Sequence, residues 1–237
     1  MGTLFEYALL IGAAFLPPIL YAIWIRNTER IRRQTWASIA MVFLWGATIA
    51  IVAALILHVL IGIPINLSFN NHPLYYLMSG VVIAPIAEEF TKPLGLGLKR
   101  VRKHIGELEY GLIYGAVAGL GFSATENLLY GTTFFGYGLL GFFILIGVRS
   151  VGACLLHASA TAVTGYGIGK SFLKKKSVFR ILPYFILAII LHGAYNFFLT
   201  FENIGPFIGF LFALCIALIS ISIIRKRIFF LDQHVSR

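Results

Sequence analysis

Residues 74–98 read LYYLMSGVVIAPIAEEFTKPLGLGL, an apolar run that nevertheless contains Glu88, Glu89 and Lys92. A membrane core about 30 Å thick is crossed by about 20 helical residues, so the run is long enough to span it. The chain has only 9 acidic residues, and a charged group in hydrocarbon is costly enough that it is expected to have a function. The run therefore predicts a membrane helix that carries a buried polar site.

The composition of the rest of the chain supports a membrane protein. Hydrophobic residues make up 59% of the chain and charged residues 12%, which excludes an ordinary soluble domain. Backbone groups in lipid must satisfy their own hydrogen bonds, and the strand alternation typical of a barrel is missing, so an all-α polytopic transmembrane helix bundle is predicted. The formal charge of +10 comes from basic loops. The positive charge therefore indicates how the protein is oriented in the membrane, and no nucleic acid partner is expected.

The apolar runs define the predicted spans. One membrane domain is expected over residues 1–237, with a catalytic core at about 73–200. The apolar stretch 134–146 is too short to span by itself. The stretch is expected to be an interfacial or re-entrant piece or an extension of the fifth helix. If it crossed the membrane, it would be an eighth span. The 7 predicted spans are 4–25, 36–61, 74–98, 111–130, 147–172, 179–199 and 206–224.

Basic residues follow every second predicted span. Since cytoplasmic loops are enriched in Lys and Arg, this alternation predicts a topology with the N-terminus outside and the C-terminus inside. The protein is expected in the plasma membrane as a multi-pass protein. The basic residues in question are Arg26, Arg30, Arg32, Arg33, Lys99, Arg100, Arg102, Lys103, Lys170, Lys174, Lys175, Lys176, Arg180, Arg225, Lys226 and Arg227.

Titratable groups from three predicted helices reach a similar depth. With a rise of 1.5 Å per residue, Glu88 and Glu89 lie about 15 Å from the inner loop, His192 about 18 Å and His157 about 20 Å. Neighbouring helical residues point about 100° apart, so one glutamate is expected to face the reacting centre as a general base while Lys92 neutralises the other. A buried salt bridge that fixes helix register is the structural alternative.

Further polar residues are expected to support the glutamates. His192 and Asn196 share a helix face and could donate hydrogen bonds to a developing oxyanion. Thr161 and Thr164 lie on the face of His157 and could orient its ring.

A glycine-rich helix carries the remaining candidates, Glu126 and Asn127. Glycines at 111, 115 and 119 form a small-xxx-small surface that lets another helix approach closely. Glu126 lies near that surface towards the outer side, where an ion pair with Arg149 is plausible. Glu126, Asn127, Arg149 and Lys92 are therefore the predicted supporting residues, and a purely structural ion pair is the competing interpretation.

These motifs resemble those of the PrsW family of intramembrane proteases. The resemblance rests on Glu88-Glu89-x-x-Lys92, on GFSAT followed by Glu126-Asn127, on His157 and on His192-x-x-x-Asn196, and it covers about residues 80–196. The family is similar to the CAAX prenyl endopeptidases (Abi-type membrane proteases). The resemblance implies that Glu88 or Glu89 activates water for hydrolysis of a peptide bond in a membrane-anchored protein. It also implies that His157 assists or holds that water and that His192 and Asn196 line the oxyanion site. The implied substrate is a single-span regulator such as an anti-sigma factor.

Other mechanisms and functions are open on the sequence. A zinc hydrolase could use two histidines and a glutamate as ligands, but the His-Glu-x-x-His pattern is missing, so a metal-free mechanism without cofactor is preferred. An aspartyl mechanism is excluded because Asp232 is the sole aspartate, and Ser123 lacks the context of a serine nucleophile. A proton-coupled transporter and a scaffold that binds helices through its glycine face are the alternatives from other classes.

Overall fold

A computed structural model describes residues 4–69, 72–134, 136, 138–175 and 177–234. Every regular element among these residues is helical, which confirms the predicted fold class. Lys176, one of the basic residues expected on the inner side of the membrane, lies outside the described residues. The α-helices are α1 (Leu4–Arg26), α2 (Trp36–Trp45), α3 (Ile51–Phe69), α4 (Pro73–Met78), α5 (Ala84–Thr91), α6 (Lys99–Lys103), α7 (Leu108–Phe134), α8 (Leu139–Val151), α9 (Ala153–Leu173), α10 (Leu182–Thr200) and α11 (Pro206–Gln233).

Helix α7 is the central element, and it is buried along most of its length. Its glycine face packs against α9 as predicted. A Cβ atom added at Gly115 would lie 2.5 Å from the Thr161 carbonyl oxygen, and one added at Gly119 would lie 2.2 Å from the His157 carbonyl oxygen. Only glycine permits such an approach of two backbones. Because α9 already covers this face, the face is not free to bind the helix of another protein.

Five helical stretches within the described residues are long and apolar enough to cross a membrane. The predicted spans 74–98 and 111–130 are not among them, so the count of seven and the orientation remain predictions. These two segments carry the candidate carboxylates, whose charge lowers their hydropathy. The five stretches are Leu4–Arg26, Trp36–Ser68, Leu139–Leu173, Val178–Thr200 and Pro206–Gln233.

The segment around the paired glutamates is a broken helix. A π-helical turn (Ser79–Ile83) precedes α5, and a 3₁₀ turn (Lys92–Gly97) follows it. Pro85 and Pro93 explain both irregularities, because proline lacks the N–H that a regular α-helix needs and its ring crowds the preceding turn. The irregular turns leave α5 as a short rigid piece that presents Glu88 and Glu89 to the centre of the bundle.

The apolar stretch 134–146 belongs mostly to helix α8. This helix meets α9 at Gly152, whose backbone has φ −88° and ψ −75°. A Cβ atom at Gly152 would lie 2.6 Å from the Tyr195 hydroxyl oxygen, so glycine permits this close contact. The stretch thus extends the fifth predicted helix. Phe135 and Tyr137 lie outside the described residues.

Candidate active site

Lys92 lies between both glutamates of α5. Its ammonium group donates hydrogen bonds to Glu88 Oε2 at 2.8 Å and to Glu89 Oε1 at 2.9 Å. The expectation that Lys92 neutralises only one of them is wrong, because side chains three and four residues earlier on a helix are both within its reach. The lysine also contacts His157 Nδ1 at 2.8 Å and lies 4.3 Å from the centre of the Phe122 ring.

Glu89 holds the ring of His192 in one orientation. Its side chain is fully buried, and its Oε1 atom lies 3.0 Å from His192 Nδ1. A carboxylate can only accept, so Nδ1 carries the hydrogen and the lone pair of a neutral ring is on Nε2. That atom lies 3.9 Å from Glu88 Oε2.

Glu126 holds the ring of His157 in the same manner. Its Oε2 atom lies 2.8 Å from His157 Nε2, which places the lone pair on Nδ1, the atom that Lys92 contacts. Arg149 pairs with the same carboxylate oxygen at 2.8 Å, as predicted. Its Nε atom also donates to Asn127 Oδ1 at 2.8 Å. Glu126 is therefore connected directly to the histidine site.

Glu88 is the more accessible glutamate of the pair. Its side chain is 14% exposed, whereas that of Glu89 is fully buried. Glu88 Oε2 lies 3.8 Å from His157 Nδ1 and 3.9 Å from His192 Nε2. The two rings pack edge to face with centroids 4.9 Å apart. The nitrogens without a hydrogen thus lie near the Glu88 carboxylate in both rings, and the Lys92 ammonium contacts both Glu88 and His157.

These atoms form a donor set that fits a divalent transition metal. Donor atoms of Glu88, His157 and His192 all lie within 4.8 Å of one another. Ligands about 2.0–2.1 Å from a tetrahedral zinc ion are about 3.3 Å apart, so small inward movements would suffice. Carboxylates that hydrogen-bond the second nitrogen of a metal-binding histidine are a common feature of such sites. The Lys92 ammonium contacts two of these three donors, Glu88 and His157, and so occupies part of the place that a metal cation would take.

The charges of the site also favour a cation. Glu88, Glu89 and Glu126 are opposed by Lys92 and Arg149, which leaves one negative charge when both histidines are neutral. Burial in a low-dielectric region makes an uncompensated charge costly. The preference for a metal-free mechanism remains a prediction, while the zinc alternative gains a fitting set of ligands.

Three other candidates occupy positions that the sequence did not specify. Asn196 donates from Nδ2 to the Gly80 carbonyl oxygen at 2.8 Å, within the π-helical turn. Thr161 donates to Glu89 Oε2 at 2.9 Å, so the expectation that it orients the His157 ring is wrong. Ser123 is buried and donates to Cys154 Sγ at 3.2 Å, which gives no support to a serine nucleophile.

Comparison with known proteins identifies the family. Residues 34–223 match the family model described as PrsW family intramembrane metalloprotease. The chain belongs to the PrsW family. It is 28% identical over 194 residues to Protease PrsW of Clostridioides difficile (strain 630), covering 80% of this chain and 78% of that protein. It is 33% identical over 99 residues to Protease PrsW of Bacillus subtilis (strain 168), covering 41% of this chain and 42% of that protein. No solved structure matches it significantly.

Membership of the PrsW family confirms the resemblance predicted from the motifs. With its apolar helical stretches, it identifies an integral, multi-pass membrane protein of a membrane peptidase family. The matched region contains α5, α7, α8, α9, α10 and the 3₁₀ turn Lys92–Gly97, which together supply the glutamates, histidines and supporting residues. Thr161 and Thr164 are the polar residues of the site whose contacts the sequence does not predict. Their helical spacing from His157 on α9 indicates that they lie on the same face, but it does not identify their partners.

Proposed function

We propose that the protein is an intramembrane endopeptidase that hydrolyses a peptide bond of a membrane-anchored protein. The observation that carries this proposal is that the accessible carboxylate of Glu88 lies within 4 Å of two imidazoles, those of His157 and His192. The nitrogen of each ring that is farther from Glu88 is hydrogen-bonded to another carboxylate, Glu126 or Glu89. Hydrolysis needs a group that takes a proton from water and groups that stabilise the developing oxyanion. A single-span regulator such as an anti-sigma factor is the proposed substrate class.

Glu88 is the group we assign to the attacking water. It lies at the partly exposed side of the site, and Lys92 holds its Oε2 atom. Glu89 acts on the reaction through His192 and Lys92, so it is a positioning residue. Arg149 keeps Glu126 in place against His157. Because Nδ1 of His192 donates to Glu89, the ring can donate a hydrogen bond to an oxyanion from Nε2 only as an imidazolium. Asn196 would first have to leave the Gly80 carbonyl.

The second candidate mechanism is metal-dependent. Glu88, His157 and His192 would hold the ion, and Glu89 and Glu126 would orient the two histidines. When bound, a zinc ion supplies a Lewis acid and lowers the pKa of a coordinated water. If Glu88 held the ion, Lys92 would remain paired with Glu89. The donor set described above is the observation that favours this candidate.

Cleavage of single-span peptides by the purified protein in lipid vesicles tests the proposal. We expect Glu88→Gln to lower the rate of cleavage by about 10²–10⁴-fold, the range for loss of a general base. Glu6→Gln, the same change near the N-terminal end of α1, is the matched control and should retain full activity. Full activity of Glu88→Gln would remove Glu88 from the mechanism.

Metal analysis of the same preparation separates the two mechanisms. A metal-dependent enzyme contains about one zinc ion per chain, loses activity with a chelator, regains it with added zinc, and loses the ion in His192→Ala. A metal-free enzyme keeps its activity through chelation, and its metal content is negligible. Absence of cleavage of every peptide by every preparation would overturn the endopeptidase proposal.

A further inference from the structure

A cavity lies beside Glu89, on the side of the site that faces away from Arg149. Its volume is about 380 Å³. The 3₁₀ turn after α5 forms one wall with Leu94, α9 forms another with Thr164 and Ile168, and the start of α10 forms a third with Leu182 and Phe185. Apart from Glu89, every side chain lining the cavity is uncharged. The cavity therefore suits an apolar occupant.

A single hydroxyl group in the cavity wall lacks a partner. Thr164 is 2% exposed, and its Oγ1 atom is buried without a hydrogen bond. An unpaired buried hydroxyl is destabilising, and threonines within helices commonly avoid this cost by donating to the preceding turn. A lipid tail cannot satisfy this hydroxyl, but a peptide N–H or C=O can. The Thr164 side chain lines the cavity, and a turn of this side chain brings its buried hydroxyl to the cavity surface, as binding of a peptide with an apolar side chain requires.

Helix α9 connects this cavity to the catalytic residues. His157, Thr161, Thr164 and Ile168 follow one another along the face of the helix that is turned to α5 and α10. Thr164 comes seven residues after His157, which is about 10 Å along the helix axis. An extended peptide advances about 3.3 Å per residue, so this distance corresponds to about three residues.

We propose that this cavity, the Thr164 pocket, is a substrate subsite that binds a large apolar side chain about two to four residues from the cleaved bond. The Thr164 hydroxyl bonds a main-chain amide group of the same peptide segment. The subsite rests on the proposed endopeptidase function and specifies its substrate class: an unwound stretch of a single-span helix with Leu, Phe or a residue of similar size at this position. Phe90 and Phe185, whose rings lie edge to face 6.4 Å apart, flank the entrance.

Matched variants test the pocket through substrate preference. The probes are synthetic single-span peptides that differ only by Ala, Leu or Phe at one position near the cleaved bond. We expect the wild-type protein to prefer Leu or Phe at one such position by about tenfold or more, since each methylene in a pocket contributes a factor of this order. Leu94→Trp, which reduces the volume of the cavity from its wall, should reverse the preference in favour of Ala. Ile190→Trp, on an exposed face of α10, should leave it unchanged.

The hydroxyl contributes a separate, measurable effect. Thr164→Val, which keeps the shape of the side chain, should raise KM about tenfold with little change in kcat, and Thr164→Ser should restore KM. A preference that is the same in Leu94→Trp and Ile190→Trp would overturn the subsite, as would unchanged kinetics of Thr164→Val.

A binding measurement keeps this inference separate from the proposed function. A photoreactive benzoylphenylalanine replaces Phe179, an exposed aromatic residue in the cavity lining, or Ile190 as control, in the inactive Glu88→Gln protein. We expect the Leu-containing peptide to cross-link at position 179, with competition by unlabelled peptide, and not at position 190. Cross-linking to lipid alone at position 179 would overturn the subsite even if cleavage is observed. Competed cross-linking without any cleavage by the wild-type protein would support the subsite and overturn the catalytic proposal.

Discussion

At the scale of single residues, the decisive feature is how the two histidines are held. Each ring donates a hydrogen bond from one nitrogen to a carboxylate, His192 to Glu89 and His157 to Glu126. The other nitrogen of each ring therefore carries the lone pair and lies within 4 Å of Glu88 Oε2. The orientation of the rings, and with it the chemistry available to them, depends on carboxylates that do not touch the reacting atoms.

Glu126→Gln tests whether Glu126 has such a positioning role. The amide oxygen can still accept from His157, but the charge that holds the ring and Arg149 is lost. Because loss of a residue that orients a catalytic or metal-binding histidine typically costs 10–100-fold, we expect kcat to fall by about that factor. KM should change less than about twofold, because Glu126 does not contact the proposed pocket for substrate. The measurement is steady-state cleavage over a range of pH.

A shift in the pH profile of Glu126→Gln relative to wild type separates a positioning role from a purely structural one. A structural ion pair would instead lower the temperature of unfolding and leave the pH profile unchanged. Glu6→Gln again serves as the matched control. An effect on kcat as large as that of Glu88→Gln would contradict the distinction drawn between the two glutamates.

At the scale of elements, the sequence predicts regular apolar helices well and irregular ones poorly. The apolar runs at 4–25 and 206–224 lie within α1 and α11. The run 74–98 was expected to be one helix, but two prolines divide it into α4, a π-helical turn, α5 and a 3₁₀ turn. The contact between Asn196 and the Gly80 carbonyl depends on that irregular backbone. A pattern of side chains alone does not specify it.

The candidate site was predictable to the extent that it uses charge within apolar runs. Because burying charge is costly, the positions of Glu88, Glu89, Lys92 and the Glu126–Arg149 pair within apolar runs identify them as candidates. The sequence does not predict that Lys92 bonds both glutamates, since helical spacing leaves several side-chain rotamers open. Thr161 has the same difficulty, because its partner Glu89 comes from a helix 72 residues away in sequence.

The packing of α7 on α9 makes Gly119 a sensitive position. In Gly119→Ala, the new methyl group would lie 2.2 Å from the His157 carbonyl oxygen, so the two helices must separate. Overpacking of this kind costs about 1–3 kcal/mol. We expect a lower temperature of unfolding, by several degrees for a chain of this size, and at least tenfold slower cleavage, because Glu126 moves away from His157. Thermal unfolding and peptide cleavage measure the two effects.

The control for this element is Gly12→Ala in α1. A Cβ atom at Gly12 meets nothing within 4 Å, so the change should leave cleavage intact. Its effect on stability should be neutral or slightly favourable, because alanine is the better helix former. Equal behaviour of Gly119→Ala and Gly12→Ala would show that the close contact of α7 and α9 does not position the site.

At the scale of the whole molecule, the site combines the least apolar segments with two of the most apolar ones. Helix α7 and the broken segment around α5 carry the carboxylates, while α9 and α10, which belong to two of the five apolar stretches, carry the histidines. The side chains of Lys92 and Glu89 are fully buried, so the protein shields these charges from hydrocarbon. Whether the two least apolar segments also cross the membrane decides between the seven predicted spans and a smaller number.

Labelling of single cysteines from outside intact cells resolves this question. The background is Cys215→Ala, since Cys215 is exposed and Cys154 is buried. From the alternation of basic loops we expect an impermeant maleimide to label His72→Cys and Asn203→Cys on intact cells, and Lys103→Cys and Lys174→Cys only after permeabilisation. His72 and Lys103 flank the broken segment, so opposite labelling of these two positions means that it crosses the membrane. Labelling of Lys103→Cys on intact cells would contradict the crossing and make the segment re-entrant, whereas labelling of Lys174→Cys there would reverse the predicted orientation.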